Sequence, residues 1–344
     1  MKAAVLTSVR HIAIQEVASP TPEADDQVLI RVRTVGICGS EVHAYHGTHP
    51  FRKPPAILGH EMAGDVVAVG SAVTRVAVGD RVTVDPHWPC GRCNYCRAGH
   101  INLCPAKRVL GTREWPGAFG EYILAPEEAI FRLPDHLSYV QGSLIEPLTI
   151  AVHVLRRAGL QAGESIAVLG SGSIGGMLIG VGHALGARPI IAADIRQHCL
   201  DAARERMGAT HDILLPQQDL VAEVLRITEG AGVDVVCIAA DDPWLVSQAV
   251  QIAKGHGRIA LVALLCTEPL QLMGYELIRK EAQVLGNTMS VTKDVHTALE
   301  LAATGQVDVE GILTHVLPHY DAQRALELAA SKADGAIKVM LTYD

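Results

Sequence analysis

The sequence predicts an α/β protein in two parts, a β-rich front half followed by a doubly wound parallel sheet. Three observations carry this. Short apolar or alternating runs at Lys2–Leu6, Val28–Val35, Gly64–Val69 and Arg81–Val84 are separated by Gly, Pro and Asp turns, as in a β-rich region. From residue 165 onward, apolar runs of strand length alternate with helical segments, the pattern of a parallel sheet covered on both faces. Gly170, Gly172 and Gly175 form a G-x-G-x-x-G run where the first of those strands meets the first of those helices.

The 344 residues allow about two domains. Hydrophobic residues make up 49% and aromatic ones 4%, so the core is sizeable and mostly aliphatic. A net charge of −8 with no basic run argues against nucleic acid and acidic membrane surfaces as partners. Arg10 and His11 interrupt the N-terminal segment before any signal-peptide core develops. The expected location is the cytoplasm. Residues 165–187 lack Asp, Glu, Lys and Arg and are long enough to span a membrane, but their glycines and their split into strand-like and helix-like halves argue against a span.

Residues 1–147 are expected to form the first domain, with an inserted lobe at 86–108. A helical pattern starts at Ser138 and continues through LIEPLTIAVHVLRRAGL. Residues 148–286 carry strands at Ser165–Leu169, Pro189–Ala193, Val233–Ala239, Arg258–Leu264 and Gln283–Leu285. Helices are expected at Ile174–Leu185 and Arg196–Met207. Residues 287–344, with helices at 292–303 and 320–331 and a strand at Ile337–Leu341, are expected to return to the first domain.

The lobe holds Cys90, Cys93, Cys96 and Cys104 in PCGRCNYCRAGHINLC. Two C-x-x-C steps and a fourth thiol close by can surround one zinc tetrahedrally. A pair of disulfides is the alternative, disfavoured without a secretory context. Four thiolates leave no open coordination position, so this metal is structural and the chemistry lies elsewhere.

In IAVLGSGSIGG the three glycines allow a tight turn, close approach of a pyrophosphate, and close helix–strand packing. The helix N-terminus favours the phosphates. Asp194, at the end of the next strand, can accept a ribose 2′-hydroxyl and would repel a 2′-phosphate, so NAD is preferred over NADP. Arg196 weighs the other way, as a cation two residues on. Together these observations define a Rossmann-type nucleotide domain; a glycine-rich packing turn without nucleotide is the alternative.

Cys38 in VGICGSEVH, His60 and Glu61 in GHE, and Glu146 in IEP are the further chemistry-bearing residues. Singly each could belong to a core or a surface. In order, GICGSEVH, GHEMAGDVVAVG, GDRV, the four-cysteine lobe, IEPL and GSGSIG resemble the zinc-dependent medium-chain dehydrogenases of the alcohol dehydrogenase superfamily, over nearly the whole chain. The resemblance is closest to the polyol and sugar-acid branch, including sorbitol, galactitol-phosphate and L-galactonate dehydrogenases. It implies a GroES-like catalytic domain built from both chain ends around a central NAD-binding domain, two zinc ions per subunit, and a homodimer or homotetramer. Cys38, His60, Glu61 and Glu146 match the catalytic zinc site. Neighbours on a strand point to opposite sides, so His60 and Glu61 share an ion only if the chain bends there. Two carboxylates beside the Cys38 thiolate would make the site anionic, so Glu61 and Glu146 are expected to alternate as ligands.

The resemblance also implies the reaction. Zinc acts as a Lewis acid on a secondary hydroxyl, a proton leaves through Ser40 towards His43, and hydride passes to the nicotinamide. Ser40 has a plainer reading as a helix N-cap, and His43 as an ordinary surface or core histidine. Tyr45, His46, His49 and Phe51, with Arg113, Glu114 and Trp115, are candidates for substrate selection, with loop packing as the alternative for each. Arg113 could pair with a carboxylate or phosphate. Ile174, Val262 and Asn287 are positional candidates for lining the cofactor. The sorbitol-type pattern has arginines near the positions of Met289 and Cys199, and both are absent here. L-threonine 3-dehydrogenase, a general secondary-alcohol dehydrogenase, and a zinc- and nucleotide-binding protein without turnover stay open.

Overall fold

The computed structural model describes residues 1–263 and 270–343. The chain divides into two compact units. The first comprises residues 1–146, 290–303 and 313–344, and the second 147–289 and 304–312.

The first unit is built on a seven-stranded mixed sheet. Its long strand Gln27–Gly36 pairs antiparallel with Glu61–Val69, with Tyr122–Pro126 and with the last strand Lys338–Thr342. The alternation in QVLIRVRTVG puts Val28, Ile30, Val32 and Val35 into a core where each is fully buried. Helix Ala322–Ser331 supplies Ala322, Ala325, Leu326 and Ala329 to the same core. The C-terminal strand thereby enters the sheet begun by the N-terminal half.

The second unit holds six parallel strands: β1 (Ile166–Leu169), β2 (Ile190–Asp194), β3 (His211–Leu214), β4 (Val233–Ile238), β5 (Ala253–Leu261) and β6 (Gln283–Gly286). Their spatial order is 3-2-1-4-5-6, the doubly wound order of dinucleotide-binding sheets. β1 and β4 are buried along their whole length and apolar apart from Asp234, as a sheet covered on both faces requires.

The elements depart from the sequence expectation at three places. β3 was not foreseen, because HDIL is a short edge strand with two polar residues. β5 starts at Ala253, five residues before the expected Arg258, since the glycines of KGHG mask a strand; its expected end at Leu264 lies outside the described residues. Residues 304–312, expected in the returning segment, belong to the second unit. Gly176 and Gly180 of helix Ser173–Ala184 explain it, since Cβ atoms there would lie 2.4 Å from Ile312 and 3.0 Å from Val307. No helix among the described residues is long and apolar enough to cross a membrane.

Candidate active site

Helix Gly39–Tyr45 begins at Cys38, whose backbone is extended. Glu41 folds back so that its Oε2 accepts the Cys38 amide at 3.0 Å. This capping-box contact fixes the turn that carries the thiol. Cys38 is therefore the N-cap, and Ser40 lies inside the first turn, which corrects the N-cap reading of Ser40.

His60 is placed by a different device. Gly59 has φ 93°, in the left-handed region, and a Cβ there would lie 2.5 Å from the Phe119 ring. The chain bends at this point, ahead of strand Glu61–Val69. Ligand atoms of His60, Glu61 and Glu146 consequently lie within 4.8 Å of one another, as do those of Cys38, Glu41 and His60. Glu146 comes from the first turn of helix Ile145–Ala158.

Charges around these residues are arranged in buried pairs. Glu41 Oε1 lies 2.7 Å from His60 Nδ1, and the carboxylate is fully buried. Burial alone would raise the Glu41 pKa, but His60 and Arg52 together hold it down at about 2. An ionised carboxylate can only accept, so Nδ1 carries a hydrogen; against the effect of burial, the Glu41 charge also raises the His60 pKa well above its usual value in the absence of a metal, and Nε2 is the atom that a metal would take in place of a proton. Glu61 is bound instead by Lys338. Its Oε2 accepts from the ammonium, both side chains are buried, and Oε1 has no hydrogen-bond partner among the described residues. Gly36 stands opposite Glu61 in the sheet register, where any Cβ would collide with that carboxylate. Burial, reinforced by the charge of Glu61, pushes Glu146 up to about 7.

The sequence-level charge count omits Lys338. This cation compensates Glu61, so the charges of Cys38 and Glu146 alone face a metal dication. A sulfur, an imidazole nitrogen fixed by a carboxylate, and a buried carboxylate form a donor set suited to zinc.

Ser40 Oγ accepts from Arg52 Nη1 at 2.5 Å. His43 Nδ1 lies 3.1 Å from Thr48 Oγ1, whose own proton goes to the His43 carbonyl. Nδ1 is thus the donor to Thr48, and Nε2 is free to accept a proton. Among the described residues no hydrogen bond joins Ser40 directly to His43.

The candidate substrate residues separate. Phe51 and Arg113 are exposed. Tyr45 is buried, and its hydroxyl accepts from Gln323 at 2.9 Å. Trp115 is buried and donates to the Leu124 carbonyl at 2.6 Å. Both side chains are held in place by these hydrogen bonds. His49 is buried, and its Nδ1 accepts from the amides of Phe51 and Arg52. Burial and Arg52 lower its pKa to about 4, so it is neutral.

In the lobe, the sulfurs of Cys90, Cys93, Cys96 and Cys104 lie within 4.8 Å of one another and form no disulfide. Cys93 and Cys96 are 3.4 Å apart and Cys90 and Cys96 4.0 Å. Four Zn–S bonds of about 2.3 Å in a tetrahedron would space the sulfurs by roughly 3.8 Å. The four thiols fit one zinc.

The nucleotide candidates in the second unit lie at the carboxyl ends of β1, β2, β5 and β6. A Cβ on Gly175 would lie 1.8 Å from the Gly170 carbonyl, whereas one on Gly172 would meet nothing within 4 Å. Close packing is needed at the first position, and open space for a ligand stands at the second. Asp194 Oδ2 accepts from the Ser171 amide at 2.7 Å and Oδ1 from the Arg196 amide at 2.9 Å. Both oxygens keep a lone pair for a ribose hydroxyl. Ile174 and Val262 are half-buried. Asn287 is occupied in tying strand ends, donating to the carbonyls of Leu261 and Leu285 and accepting from Arg157.

Three functional-looking residues escaped the sequence reading: Glu41, Arg52 and Lys338. The only local signal is Glu41, three residues after the helix cap.

This combination of a metal-ready Cys/His/Glu cluster, a four-cysteine lobe and a nucleotide fold has close counterparts. The alcohol dehydrogenase GroES-like domain matches residues 24–135, and the zinc-binding dehydrogenase domain matches residues 173–304. Sorbitol dehydrogenase of Bacillus subtilis is 38% identical over 346 residues, covering 99% of this chain and 97% of the relative. D-arabitol-phosphate dehydrogenase of Enterococcus avium is 33% identical over 323 residues, covering 93% of this chain and 91% of the relative. A structure from Sinorhizobium meliloti 1021, described as a zinc-binding dehydrogenase bound to NADP, superposes with a TM-score of 0.92 at 33% identity, covering 99% of both chains. The chain belongs to the zinc-dependent medium-chain dehydrogenases, with a GroES-like domain and a Rossmann domain. The family's cofactors are zinc and a nicotinamide dinucleotide.

Proposed function

We propose that this protein oxidises a secondary hydroxyl of a polyol, sugar acid or sugar phosphate, and reduces the matching ketone, with NAD as the preferred nicotinamide. The observation that carries this is the pair of ligand groups that share His60, one with Cys38 and Glu41 and one with Glu61 and Glu146, in a chain whose relatives include dehydrogenases of sorbitol and of arabitol phosphate. Cys38, His60 and Glu146 would hold the catalytic zinc, with Glu61 retained by Lys338. The four lobe cysteines would hold the second, structural zinc. When bound, the catalytic zinc supplies a Lewis acid, and the nicotinamide accepts the hydride. Glu41 keeps the His60 imidazole in its metal-binding tautomer. Ser40 receives the proton of the substrate hydroxyl, and His43 offers Nε2 further along the path. A bridging hydroxyl or water, which can accept a proton from Ser40 and donate one to His43, would close the gap between them. Gly172 leaves room for the pyrophosphate, and Asp194 accepts from the ribose. Its charge supports NAD over NADP, with the NADP-bound relative as the reason to test both. A cytoplasmic location is supported by cysteines that, among the described residues, form no disulfide, and a homodimer or homotetramer by the family resemblance.

The test is initial-rate formation of NADH and NADPH by zinc-loaded protein on polyols, aldonates, sugar phosphates and L-threonine. The reading predicts turnover on a member of the first three groups, faster with NAD. Turnover on threonine alone would favour the amino-acid alternative, which draws on the exposed Arg113.

A further inference from the structure

Arg52 stands in the loop before His60 and is 4% exposed. Its amide donates to His49 Nδ1 at 3.1 Å, which anchors its own segment. The guanidinium then reaches three residues on two other segments. Nη1 donates to Ser40 Oγ at 2.5 Å and to Glu41 Oε1 at 3.0 Å, and Nη2 donates to the Leu110 carbonyl at 3.1 Å. The Glu41 oxygen that accepts from Arg52 is the one 2.7 Å from His60 Nδ1. One buried cation thus touches both the candidate relay hydroxyl and the carboxylate that orients the metal-binding imidazole.

We propose that Arg52 is a positioning residue for alcohol oxidation, which fixes the Ser40 hydroxyl and ties it to the Glu41–His60 arm. This deepens the proposed function and rests on its Ser40 relay. A serine hydroxyl has one proton and two lone pairs. Arg52 has no acceptor, so it takes one lone pair and cannot receive the Ser40 proton. The other lone pair and the proton are left for the substrate hydroxyl and the path towards His43. As the substrate proton arrives at Oγ, the proton already on Ser40 leaves towards His43. Arg52 gives up no hydrogen; it stabilises the partial negative charge on Oγ while both protons move. A lysine has the charge but a single nitrogen, and cannot reproduce the planar fork that spans these acceptors.

A double-mutant cycle of Ser40→Ala and Arg52→Met tests this, with Arg52→Lys as the conservative variant. It uses zinc-loaded enzyme, NAD, and whichever of D-sorbitol, xylitol or D-arabitol 5-phosphate turns over fastest. Ser40→Ala is expected to lower kcat by about 100-fold, the scale of one positioned proton-transfer group. Arg52→Met should lower kcat by roughly 10-fold or more with KM for NAD unchanged, and by less than about 2-fold further when Ser40 is already Ala, as residues acting as a unit do. Arg52→Lys should fall between wild type and Arg52→Met. A readout independent of turnover is zinc retention against EDTA, measured by elemental analysis, which should drop in Arg52→Met and partly recover in Arg52→Lys. Additive effects on kcat would overturn the proposal while leaving the relay standing. An unchanged rate in Ser40→Ala would remove the relay itself and this proposal with it. If Arg52→Met does not fold, Arg52→Lys carries the cycle, and a kcat loss that persists undiminished beside Ser40→Ala overturns the proposal.

Discussion

At the scale of residues, the site depends on buried charges that come in pairs. Lys338 and Glu61 are both essentially inaccessible. Removing one partner leaves the other charge uncompensated, which typically costs about 3–5 kcal/mol. Lys338→Met should therefore lower the stability of the first unit by about that much, measured by urea unfolding, and adding Glu61→Gln should recover a large part of it. If Lys338→Met unfolds like wild type, the pair is not formed in solution. Cys38, His60 and Glu146 were legible in the sequence because each sits in a short motif. Glu41, Arg52 and Lys338 were not, because their roles depend on contacts distant in the chain. The Lys338–Glu61 contact spans 277 residues, and the Arg52–Leu110 contact 58. No window of local pattern holds such a pair. The burial of Tyr45 and Trp115 was hidden for a related reason: the partners of their polar atoms, Gln323 and the Leu124 carbonyl, are not part of the motifs that hold them.

At the scale of elements, two turns place the chemistry. The capped start of Gly39–Tyr45 presents Cys38 and Ser40, and the left-handed Gly59 presents His60 and Glu61. Gly59→Ala combines an unfavourable φ, worth about 1–3 kcal/mol, with a clash against Phe119. The expected outcome is a lower Tm together with lost zinc at the His60 site, read by calorimetry and elemental analysis on the same sample. Full zinc content at unchanged Tm would mean that the bend is not what sets His60. The strands of both units were largely readable from alternation and apolar runs. β3 was missed because it is short and polar at an edge, and the start of β5 because glycine reads as a turn. The excursion of residues 304–312 into the second unit follows from Gly176 and Gly180 in a helix, which mark a packing site only once the partner is seen.

At the scale of the whole molecule, the proposed function gives the chain two metal sites of different kinds. Four lobe sulfurs would close a zinc shell, whereas Cys38, His60 and Glu146 would leave the fourth position of a four-coordinate zinc to a substrate atom. Cys93→Ser should lose one zinc per chain and melt at a lower temperature, while the molecules that remain folded keep most of their turnover; abolished turnover in a fully folded Cys93→Ser protein would reverse the two assignments. The two-part organisation was visible in the sequence from the order of its motifs, because each motif sits at the junction of a strand and a turn or helix. Alcohol oxidation is proposed to take place at the Cys38 site. Zinc per chain and polyol-dependent NADH formation in Cys38→Ser test this. The expected result is a folded protein that keeps the lobe zinc, loses the other, and has no detectable turnover; two zinc ions per chain with a wild-type rate would contradict it.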